Sequence, residues 1–423
     1  MAQLSDDCFR PGADLMPLQD ALQLLTERLG PVADIETVSL KLARGRVLAD
    51  DITSGMDVPP HDNSAVDGYG FRLADLGAEG TTRFDVIARA TAGHPIERPP
   101  DWTLPTGASV RVFTGAPVPP ECDTIVMQED VEVLDDGAVL IPAGLKLGAN
   151  RRSAGEDIQT GNRILSRGQR LKPQHLGVAA SVGCTQLPVY VPLQVAIFST
   201  GDEVTEPGVA LPAGGIYDAN RIMVTALCEE LGAEVDDLGI LPDQADKIHQ
   251  ALERAAANHD LIITSGGVSV GDEDHVKAAV EALGQLHFWR LAIKPGRPIA
   301  LGQVAGIPFA GLPGNPVAAM VTFLRIVRPV VLSLSGATDL TPKSFQVPAG
   351  FTYAKKRQRR EMIRARIEPG ENNIPTAQRF KEQGAGILTS ITSSDGLVEL
   401  PEDKGEVAVG DMVDFFPFSE VDA

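Results

Sequence analysis

Three polar turns in the middle of the chain combine residue types that bind phosphates and divalent metals. The first turn, FSTGDE at 198–203, follows an apolar run and ends in two carboxylates, Asp202 and Glu203. Ligands of open α/β sheets bind at the carboxyl ends of the strands, where such turns lie. Taken alone, this turn is better explained by Thr200 or Asp202 capping a following helix.

The second turn, TSGGVSVGDED at 264–274, is rich in groups that contact anions. Two glycines let a backbone approach a ligand closely, and two serines add hydroxyl donors: Gly266, Gly267, Ser265 and Ser269. Asp274 closes the turn at the start of a predicted helix. The turn is neither a Walker loop nor a dinucleotide fingerprint, because the lysine and the third glycine are missing. A flexible turn capped by Asp274 is the alternative, but the combination favours a ligand site.

The third region, LAIKPGRP to GLPGNP at 291–316, offers cations on a stiff loop and a proline-flanked helix start. Three cations lie in or just before this loop: Arg290, Lys294 and Arg297. Pro313 follows an apolar strand, and Pro316 suits the first turn of a helix, whose N-terminus attracts anions. PGNP alone is explained as the boundary between a strand and a helix. Three such turns at one sheet edge favour a phosphate site.

The net charge decides how an anionic substrate can bind. Lys+Arg total 37 and Asp+Glu total 57, which gives a net charge of −20. Such a chain repels anions at long range, so bound phosphates need nearby cations or a divalent metal. Mg²⁺ prefers carboxylate, phosphate and water oxygens, and its candidate ligands are Glu203, Asp243 and Asp274. A helix N-cap explains Asp243 equally well, because this residue opens DQADKIHQAL.

The composition also excludes several classes of protein. A sequence pI near 4.8 argues against binding to nucleic acid, whose phosphates need a basic face. The longest apolar stretch, 317–334, is interrupted by Arg325, Arg328 and Pro329, so no membrane span is expected. Four widely spaced cysteines predict neither a metal knuckle nor a disulfide framework, and no secretory signal pattern opens the sequence. We therefore expect a cytoplasmic protein.

The sequence predicts a multidomain protein of the α/β plus β class. The helices and strands that position these turns divide into four predicted parts. Residues 1–52 with 150–185 form a small, discontinuous helical or mixed body, and residues 53–149 form an inserted β-rich domain. Residues 186–335 alternate strands and helices, as in a doubly wound parallel α/β sheet. Residues 336–423 have no long helix, which indicates a C-terminal β domain.

Polar residues also cluster outside the α/β part, in PPHDNSAVDGYGF at 59–71 and TGAPVP at 114–119. Five side chains of the first segment are candidates to face a ligand: Asp62, Asn63, Ser64, Asp67 and Tyr69. Asp-Asn-Ser and Asp-Gly sequences are also typical of turns, so turn formation is the alternative.

In this order, the motifs resemble the MoeA/gephyrin E-domain family of molybdopterin molybdenumtransferases. The matching segments are PPHDNSAVDGYGF, RVFTGAPVP, NRRSAGEDI, FSTGDE, IYDANR, SGGVSVGDED, FWRLAIKPGRP and GLPGNP. The resemblance implies an elongated homodimer whose α/β part holds the pterin nucleotide. It implies that molybdate is inserted into adenylated molybdopterin with Mg²⁺ and that AMP is released. Further partners would be the molybdopterin adenylyltransferase and acceptor molybdoenzymes, with no nucleic acid and no membrane.

The resemblance also implies roles for individual residues. Asp67 and Thr114 belong to the inserted domain, which would reach the partner's cleft across the dimer. Arg364, in REMIR, matches an arginine of the C-terminal domain that helps to hold an oxyanion. The acidic cleft residues near metal and phosphate would be Glu203, Asp243 and Asp274. The same cleft would be lined by Lys294, Pro313 and Pro316.

The chain departs from the family pattern at three positions. Arg290 and Arg297 stand where lysine is common, which keeps the charge but replaces a point charge with a planar fork. Ala385, in KEQGAGIL, replaces a common serine, and Ser390 and Ser394 are the nearest alternatives for its hydroxyl.

Two other functions stay open at this point. One is an adenylyl transferase or hydrolase that acts on a pterin nucleotide with the same α/β module. The other is a scaffold that binds peptides through its dimer surface. The α/β module alone needs only about residues 188–330, so the long matching N-terminal half argues against the first.

Overall fold

The chain divides into two compact units. A computed structural model describes residues 15–97, 101–267, 275–296 and 298–421. The first unit comprises Met1–Asp50, Arg167–Lys172 and Gln186–Ala423. The second comprises Asp51–Ser166 and Pro173–Thr185. The four-part boundaries drawn from the sequence stay a prediction.

The helices of the described residues fall largely where apolar residues repeat with helical spacing. They are α1 (Leu18–Arg28), α2 (Pro173–Ser181), α3 (Asn220–Glu230), α4 (Ala245–Asn258), α5 (His275–Leu283), α6 (Pro316–Thr322), α7 (Arg328–Leu334), α8 (Thr389–Thr392) and α9 (Phe418–Val421). A π-helical stretch, Phe323–Val327, joins α6 to α7. The long helix predicted from Pro316 therefore runs without a break to Leu334.

The second unit is built on the predicted β-rich insertion. The strands up to residue 190 are β1 (Ile35–Ser39), β2 (Ile52–Thr53), β3 (Asn63–Ser64), β4 (Gly68–Phe71), β5 (Thr81–Ala90), β6 (Ala108–Val112), β7 (Thr124–Met127), β8 (Glu132–Val133), β9 (Val139–Pro142), β10 (Arg151–Arg152), β11 (Arg163–Leu165) and β12 (Gln186–Tyr190). Six of them form a sheet in the order β7-β4-β6-β5-β9-β8. In the first unit, β1 pairs with β12.

The first unit contains the predicted α/β sheet. Its strands and connections are β13 (Gln194–Thr200), β14 (Val204–Thr205), β15 (Ile216–Tyr217), β16 (Glu234–Leu241), β17 (Leu261–Ser265), β18 (Gly284–Arg290), β19 (Ile293–Lys294), β20 (Pro298–Val304) and β21 (Ile307–Leu312). The sheet order is β16-β13-β17-β21-β20-β18. The first four strands are parallel, but β20 runs antiparallel to both of its neighbours. The predicted doubly wound α/β sheet is confirmed, but it is mixed and not purely parallel, because it contains the antiparallel strand β20, which was not predicted.

A second sheet of this unit joins the C-terminal region to the α/β region. The remaining strands of the unit are β22 (Phe345–Pro348), β23 (Tyr353–Ala354), β24 (Arg360–Pro369), β25 (Pro375–Arg379), β26 (Gly396–Leu400), β27 (Glu406–Val407) and β28 (Met412–Pro417), of which β23 and β27 pair with each other in a separate small sheet. The sheet order is β19-β24-β26-β28-β22, and β25 pairs with β24. Strand β19 leaves the α/β sheet and pairs in parallel with β24, so that Lys294 lies opposite Glu361.

Two apolar cores cover the faces of the α/β sheet. One packs α1, α3 and the helix Pro316–Leu334 against one face, and the other packs α4 and α5 against the opposite face. By length and composition the helix Pro316–Leu334 could cross a membrane, but it lies wholly inside the fold. Its two arginines, Arg325 and Arg328, are buried with it, and Arg325 pairs with Glu399 at 3.0 Å. It is therefore a core helix.

Substituting Gly267 with alanine is expected to destabilise the first unit strongly. This residue has a φ of +63°, and an added Cβ would lie 2.8 Å from Val276 Cγ2 and closer still to Thr200. Gly306→Ala is the matched control, because Gly306 has a φ of +90° but nothing within 4 Å of an added Cβ. In urea denaturation, Gly267→Ala should lower the free energy of unfolding by about 1–3 kcal/mol more than the control. Equal losses would contradict this packing.

Candidate functional site

The turn after β13 places Glu203 at the carboxyl edge of the sheet. The backbone leaves β13 at Thr200, and Gly201 follows with a φ of +139°. The Glu203 carboxylate folds over Gly201. A Cβ added at Gly201 would lie 2.8 Å from Glu203 Oε2. The next element is the short strand β14 and not a helix, so the capping explanation for Thr200 and Asp202 was wrong.

The turn after β17 is packed tightly on the neighbouring turn. Gly266 has a φ of +85°, and a Cβ there would lie 2.6 Å from the carbonyl oxygen of Thr200. Gly266 and Gly267 were predicted to let a ligand approach the backbone. Both pack so closely on Thr200 that a side chain would not fit, so packing alone already requires glycine at these positions. Ser265 ends the strand and is buried. Ser269 and Asp274 lie outside the described residues.

Three buried hydroxyls lie near the ends of these two strands without a hydrogen-bond partner in the described parts of the chain. They are Ser199 Oγ, Thr200 Oγ1 and Thr264 Oγ1. Buried polar groups are nearly always hydrogen-bonded in folded proteins. These three hydroxyls at the sheet edge can therefore form hydrogen bonds with a bound polar ligand or with water.

Asn220 ties two of the three turns together. Its buried Nδ2 donates to Ser265 Oγ at 2.9 Å and to the carbonyl oxygen of Gly314, in PGNP, at 2.8 Å. Asn220 is the first residue of α3, and the preceding Asp218 accepts a hydrogen bond from the Arg221 N–H at 3.1 Å. Sequence reasoning did not single out Asn220. Its one signal was a polar amide at the start of an otherwise amphipathic helix, within IYDANR.

Replacing Asn220 with aspartate is expected to disconnect these turns. A carboxylate has no hydrogen to donate, so the Gly314 carbonyl oxygen loses its partner. The free energy of unfolding should fall by about 1–3 kcal/mol, which urea denaturation measures.

Asn258→Asp is the control for this change. The exposed Asn258 Nδ2 donates to the Arg254 carbonyl oxygen at 2.9 Å within α4. Its substitution should shift stability by no more than about 0.5 kcal/mol, as is usual at exposed positions. If both variants lost a similar free energy of unfolding, the buried hydrogen bonds of Asn220 would contribute no more to stability than an exposed one.

Lys294 projects from β19 towards the C-terminal sheet. Its Nζ donates to Glu361 Oε2 at 3.2 Å and to Tyr353 Oη at 3.4 Å. Burial, the largest single effect, opposes the charged form, but the hydrogen bonds and charge attraction of Glu361 and Tyr353 together outweigh it and raise the pKa of Lys294. The side chain of Arg290 and the whole of Arg297 lie outside the described residues.

The PGNP turn meets the C-terminal region at the start of α6. Pro313 precedes the turn, Pro316 is the first residue of the helix, and Asn315 occupies the cap position without a side-chain hydrogen bond. The next amide, that of Val317, donates to the carbonyl oxygen of Ala385 at 3.0 Å. The backbone of the KEQGAGIL loop therefore already satisfies one donor of the helix terminus that was predicted to attract anions.

Arg364 is a buried cation beside the same loop. Its side chain is 1% exposed, and it donates from Nε to Ser390 Oγ at 3.0 Å and from Nη2 to the Gly384 carbonyl oxygen at 3.1 Å. Within the described residues it forms no ion pair with a carboxylate. Burial lowers its pKa to about 10. Of the two serines considered in place of Ala385, Ser390 contacts Arg364, while the hydroxyl of Ser394 donates to the Ser390 carbonyl oxygen at 2.7 Å.

In the second unit, Asp67 and Thr114 form a joined pair. Asp67 Oδ1 accepts hydrogen bonds from the Thr114 N–H at 2.8 Å and from its Oγ1 at 2.9 Å. These two bonds hold the pKa of the half-buried Asp67 below its usual range. Other polar groups of this segment are used locally: Ser64 Oγ donates to the Val66 carbonyl oxygen, and Asp62 pairs with Arg151. Turn formation thus explains part of the motif.

The described residues show no cluster of the predicted metal ligands. Asp243 is exposed, and the N-cap of α4 is Gln244, so the capping explanation for Asp243 was wrong. The described residues contain no group of three histidines, cysteines or acids arranged to hold a metal ion, and Asp274 lies outside them. The groups at this sheet edge that could bind a metal ion are carboxylate and hydroxyl oxygens. An all-oxygen set with one or two carboxylates fits Mg²⁺, which commonly completes its shell with phosphate and water oxygens.

Family models match most of the chain in three consecutive segments. Residues 16–183 match the MoeA N-terminal region (domain I and II), and residues 196–333 match a probable molybdopterin binding domain. Residues 346–418 match the MoeA C-terminal region (domain IV). These segments include all the turns described above.

Whole-length relatives agree with the models. A molybdopterin molybdenumtransferase from Haemophilus influenzae is 37% identical over 408 residues, which cover 96% of this chain and 100% of that protein. A molybdopterin molybdenumtransferase 2 from Mycobacterium tuberculosis is 35% identical, over 88% of this chain and 93% of that protein. The crystal structure of a molybdopterin biosynthesis MoeA protein from Pyrococcus horikoshii superposes with a TM-score of 0.80 at 29% identity, covering 96% of this chain and 100% of that chain. The chain therefore belongs to the MoeA family of molybdopterin molybdenumtransferases.

Proposed function

We propose that this protein inserts molybdenum into the dithiolene of adenylated molybdopterin and releases AMP. The proposal follows the names of the relatives, and the buried cation Arg364 is the observation that supports it most directly. A guanidinium that is shielded from water and has no carboxylate partner among the described residues is costly to bury. Binding an oxyanion at this point would offset that cost.

Molybdate, the second substrate, is a doubly charged oxyanion. Its recognition needs charge-assisted donors, which Arg364 and Lys294 supply on or beside strand β24. Lys294 is 47% exposed, so its ammonium can reach a ligand as well as Glu361. The neighbouring turns, with Ser265 and the PGNP segment, would face the pterin nucleotide.

The phosphoanhydride of the adenylated substrate would lie at the carboxyl edge of the α/β sheet. Glu203 and Asp243 would hold Mg²⁺ there, together with Asp274. When bound, Mg²⁺ offsets the negative charge that grows on the phosphate oxygens as the anhydride breaks. The turn that folds the Glu203 carboxylate over Gly201, at the carboxyl edge of the sheet, supports this role.

We also propose a homodimer in which Asp67 and Thr114 act on the partner's substrate. The two hydrogen bonds from Thr114 keep the Asp67 carboxylate ionised and fixed in direction. Such a fixed carboxylate on an exposed turn is suited to contact a ligand outside its own unit. Sedimentation equilibrium would test the dimer. Mixing an inactive Asp67→Asn chain with an inactive Arg364→Met chain should restore activity if the sites are shared between subunits.

The deciding experiment is release of AMP from adenylated molybdopterin with Mg²⁺, with and without molybdate, coupled to activation of an apo-molybdoenzyme. Molybdate-dependent release with activation is the expected result. Release that is independent of molybdate and without activation would contradict insertion and favour a hydrolase that acts on the pterin nucleotide. Peptide binding without release of AMP would favour a scaffold.

A further inference from the structure

Glu361 is a buried carboxylate that the proposed reaction leaves without a role. Its side chain is 4% exposed and faces Lys294 across the β19–β24 pairing. Its Oε2 accepts from Lys294 Nζ at 3.2 Å and from Tyr353 Oη at 2.7 Å. One oxygen therefore binds both the lysine that reaches towards the ligand and a tyrosine from a different strand.

Several cations lie around this carboxylate, although the chain has a net charge of −20. Arg379 lies over the Tyr353 ring at 5.8 Å, and Lys355 is attracted to Glu361. Arg364 is on the same strand, three residues after Glu361. Two more carboxylates, Glu402 and Asp403, also attract Lys355, so the cations around Glu361 are partly neutralised. The ammonium of Lys294 and the guanidinium of Arg364 remain the cations proposed to contact an anion.

We propose that Glu361 and Tyr353 are positioning residues for Lys294, which they hold towards the oxyanion site that Lys294 forms with Arg364. The proposal rests on the function proposed above. A lysine side chain has a flexible four-carbon stem, so an unrestrained ammonium would spend much of its time away from the ligand. Glu361 Oε2 and Tyr353 Oη each accept a hydrogen bond from Lys294 Nζ and so restrict that motion. The third hydrogen of the ammonium would then donate to molybdate.

Glu361 also keeps Lys294 charged. Partial burial lowers the pKa of Lys294, and the hydrogen bond and charge of Glu361, together with Tyr353, overcome this effect and raise it. Tyr353, which contacts both groups, is held protonated because burial and the Glu361 carboxylate raise its pKa. The other charged groups near this cluster are the cations Lys355, Arg364 and Arg379 and the carboxylates Glu402 and Asp403. Without the Glu361 carboxylate, the pKa of Lys294 falls and the ammonium loses its proton at a lower pH.

The test compares Glu361→Gln and Tyr353→Phe with the native chain in two measurements. The first is AMP release as a function of molybdate concentration, and the second is calorimetric titration of the full-length protein with molybdate alone. For Glu361→Gln we expect the KM for molybdate to rise about 10-fold while kcat changes less than about 3-fold. Tyr353→Phe should give a smaller rise in the same direction. Glu368→Gln, at an exposed position on the same strand, is the control.

The pH profile separates positioning from a merely structural role. In Glu361→Gln, molybdate affinity should begin to fall at a lower pH than in the native chain, since the Lys294 pKa is no longer raised. Unchanged molybdate affinity and an unchanged pH profile in both variants would overturn the proposal. An equal loss of affinity for molybdate and for the pterin nucleotide would also overturn it. Failure of the proposed function would appear differently, as absence of molybdate-dependent AMP release in the native chain.

Discussion

Replacing Arg364 with methionine is expected to reduce molybdate-dependent AMP release by about 100-fold or more and to leave the protein folded. Loss of one fixed donor to a developing or bound oxyanion typically costs a factor of this size. Methionine has a similar length and no charge, so it removes the cost of burying a guanidinium without a carboxylate partner. The free energy of unfolding should change by less than about 1 kcal/mol, because the lost hydrogen bonds and the avoided burial of charge oppose each other.

Arg366→Met is the control for this prediction. Arg366 lies two residues further along β24, is 53% exposed and binds the Ser393 carbonyl oxygen at 3.0 Å. It should retain native activity. Arg364→Lys separates charge from shape, since lysine keeps the charge and loses the planar fork. An Arg364→Met chain with native turnover would remove Arg364 from the oxyanion site.

Neutralising Glu203 is expected to have an effect of similar size. Glu203→Gln keeps the shape of the side chain but removes a charge that would hold Mg²⁺, so AMP release should fall by about 100-fold. The Mg²⁺ concentration for half-maximal rate should rise by about 10-fold in the variant, because one carboxylate ligand is lost. Asp243→Asn should behave in the same way if the two carboxylates share the ion. Steady-state rates at several Mg²⁺ concentrations measure both effects.

Neighbouring carboxylates supply matched controls for these two changes. Asp202→Asn and Asp246→Asn remove exposed charges one and three residues away from Glu203 and Asp243. A general electrostatic effect would lower activity in the controls as well. Native turnover in both Glu203→Gln and Asp243→Asn would exclude the proposed metal and phosphate role of these residues.

Much of the fold could be predicted because local patterns determine it. The leucines at helical spacing in 16–30 form α1, of which Leu18 and Leu25 are buried. The continuous apolar runs became the central parallel strands, which are covered on both faces. Strand β20 escaped prediction because it begins with Pro298 and contains Gly302, two residues that weaken a strand pattern. Its position depends on pairing with β18 and β21, which a local pattern does not contain.

The candidate site could be predicted only where its residues lie in recognisable turns. Glu203, Ser265 and the PGNP segment follow apolar strands, so their shared edge followed from the parallel arrangement. Asn220 was missed because its importance comes from its hydrogen bonds to Ser265 and Gly314. These partners lie 45 and 94 positions further along the chain. The surroundings of Arg364 depend on a loop that folds back onto α6, which no spacing rule indicates.

The strand Ile293–Lys294 has a consequence for how this protein can be divided or recombined. It emerges from the α/β region, yet it forms the edge strand of the C-terminal sheet beside Arg360 and Glu361. A C-terminal module cut at residue 336 would lack that strand and would leave the buried carboxylate of Glu361 without its cation. A C-terminal module exchanged between relatives would therefore need to include the loop that carries Lys294 in order to keep this sheet edge and its ion pair.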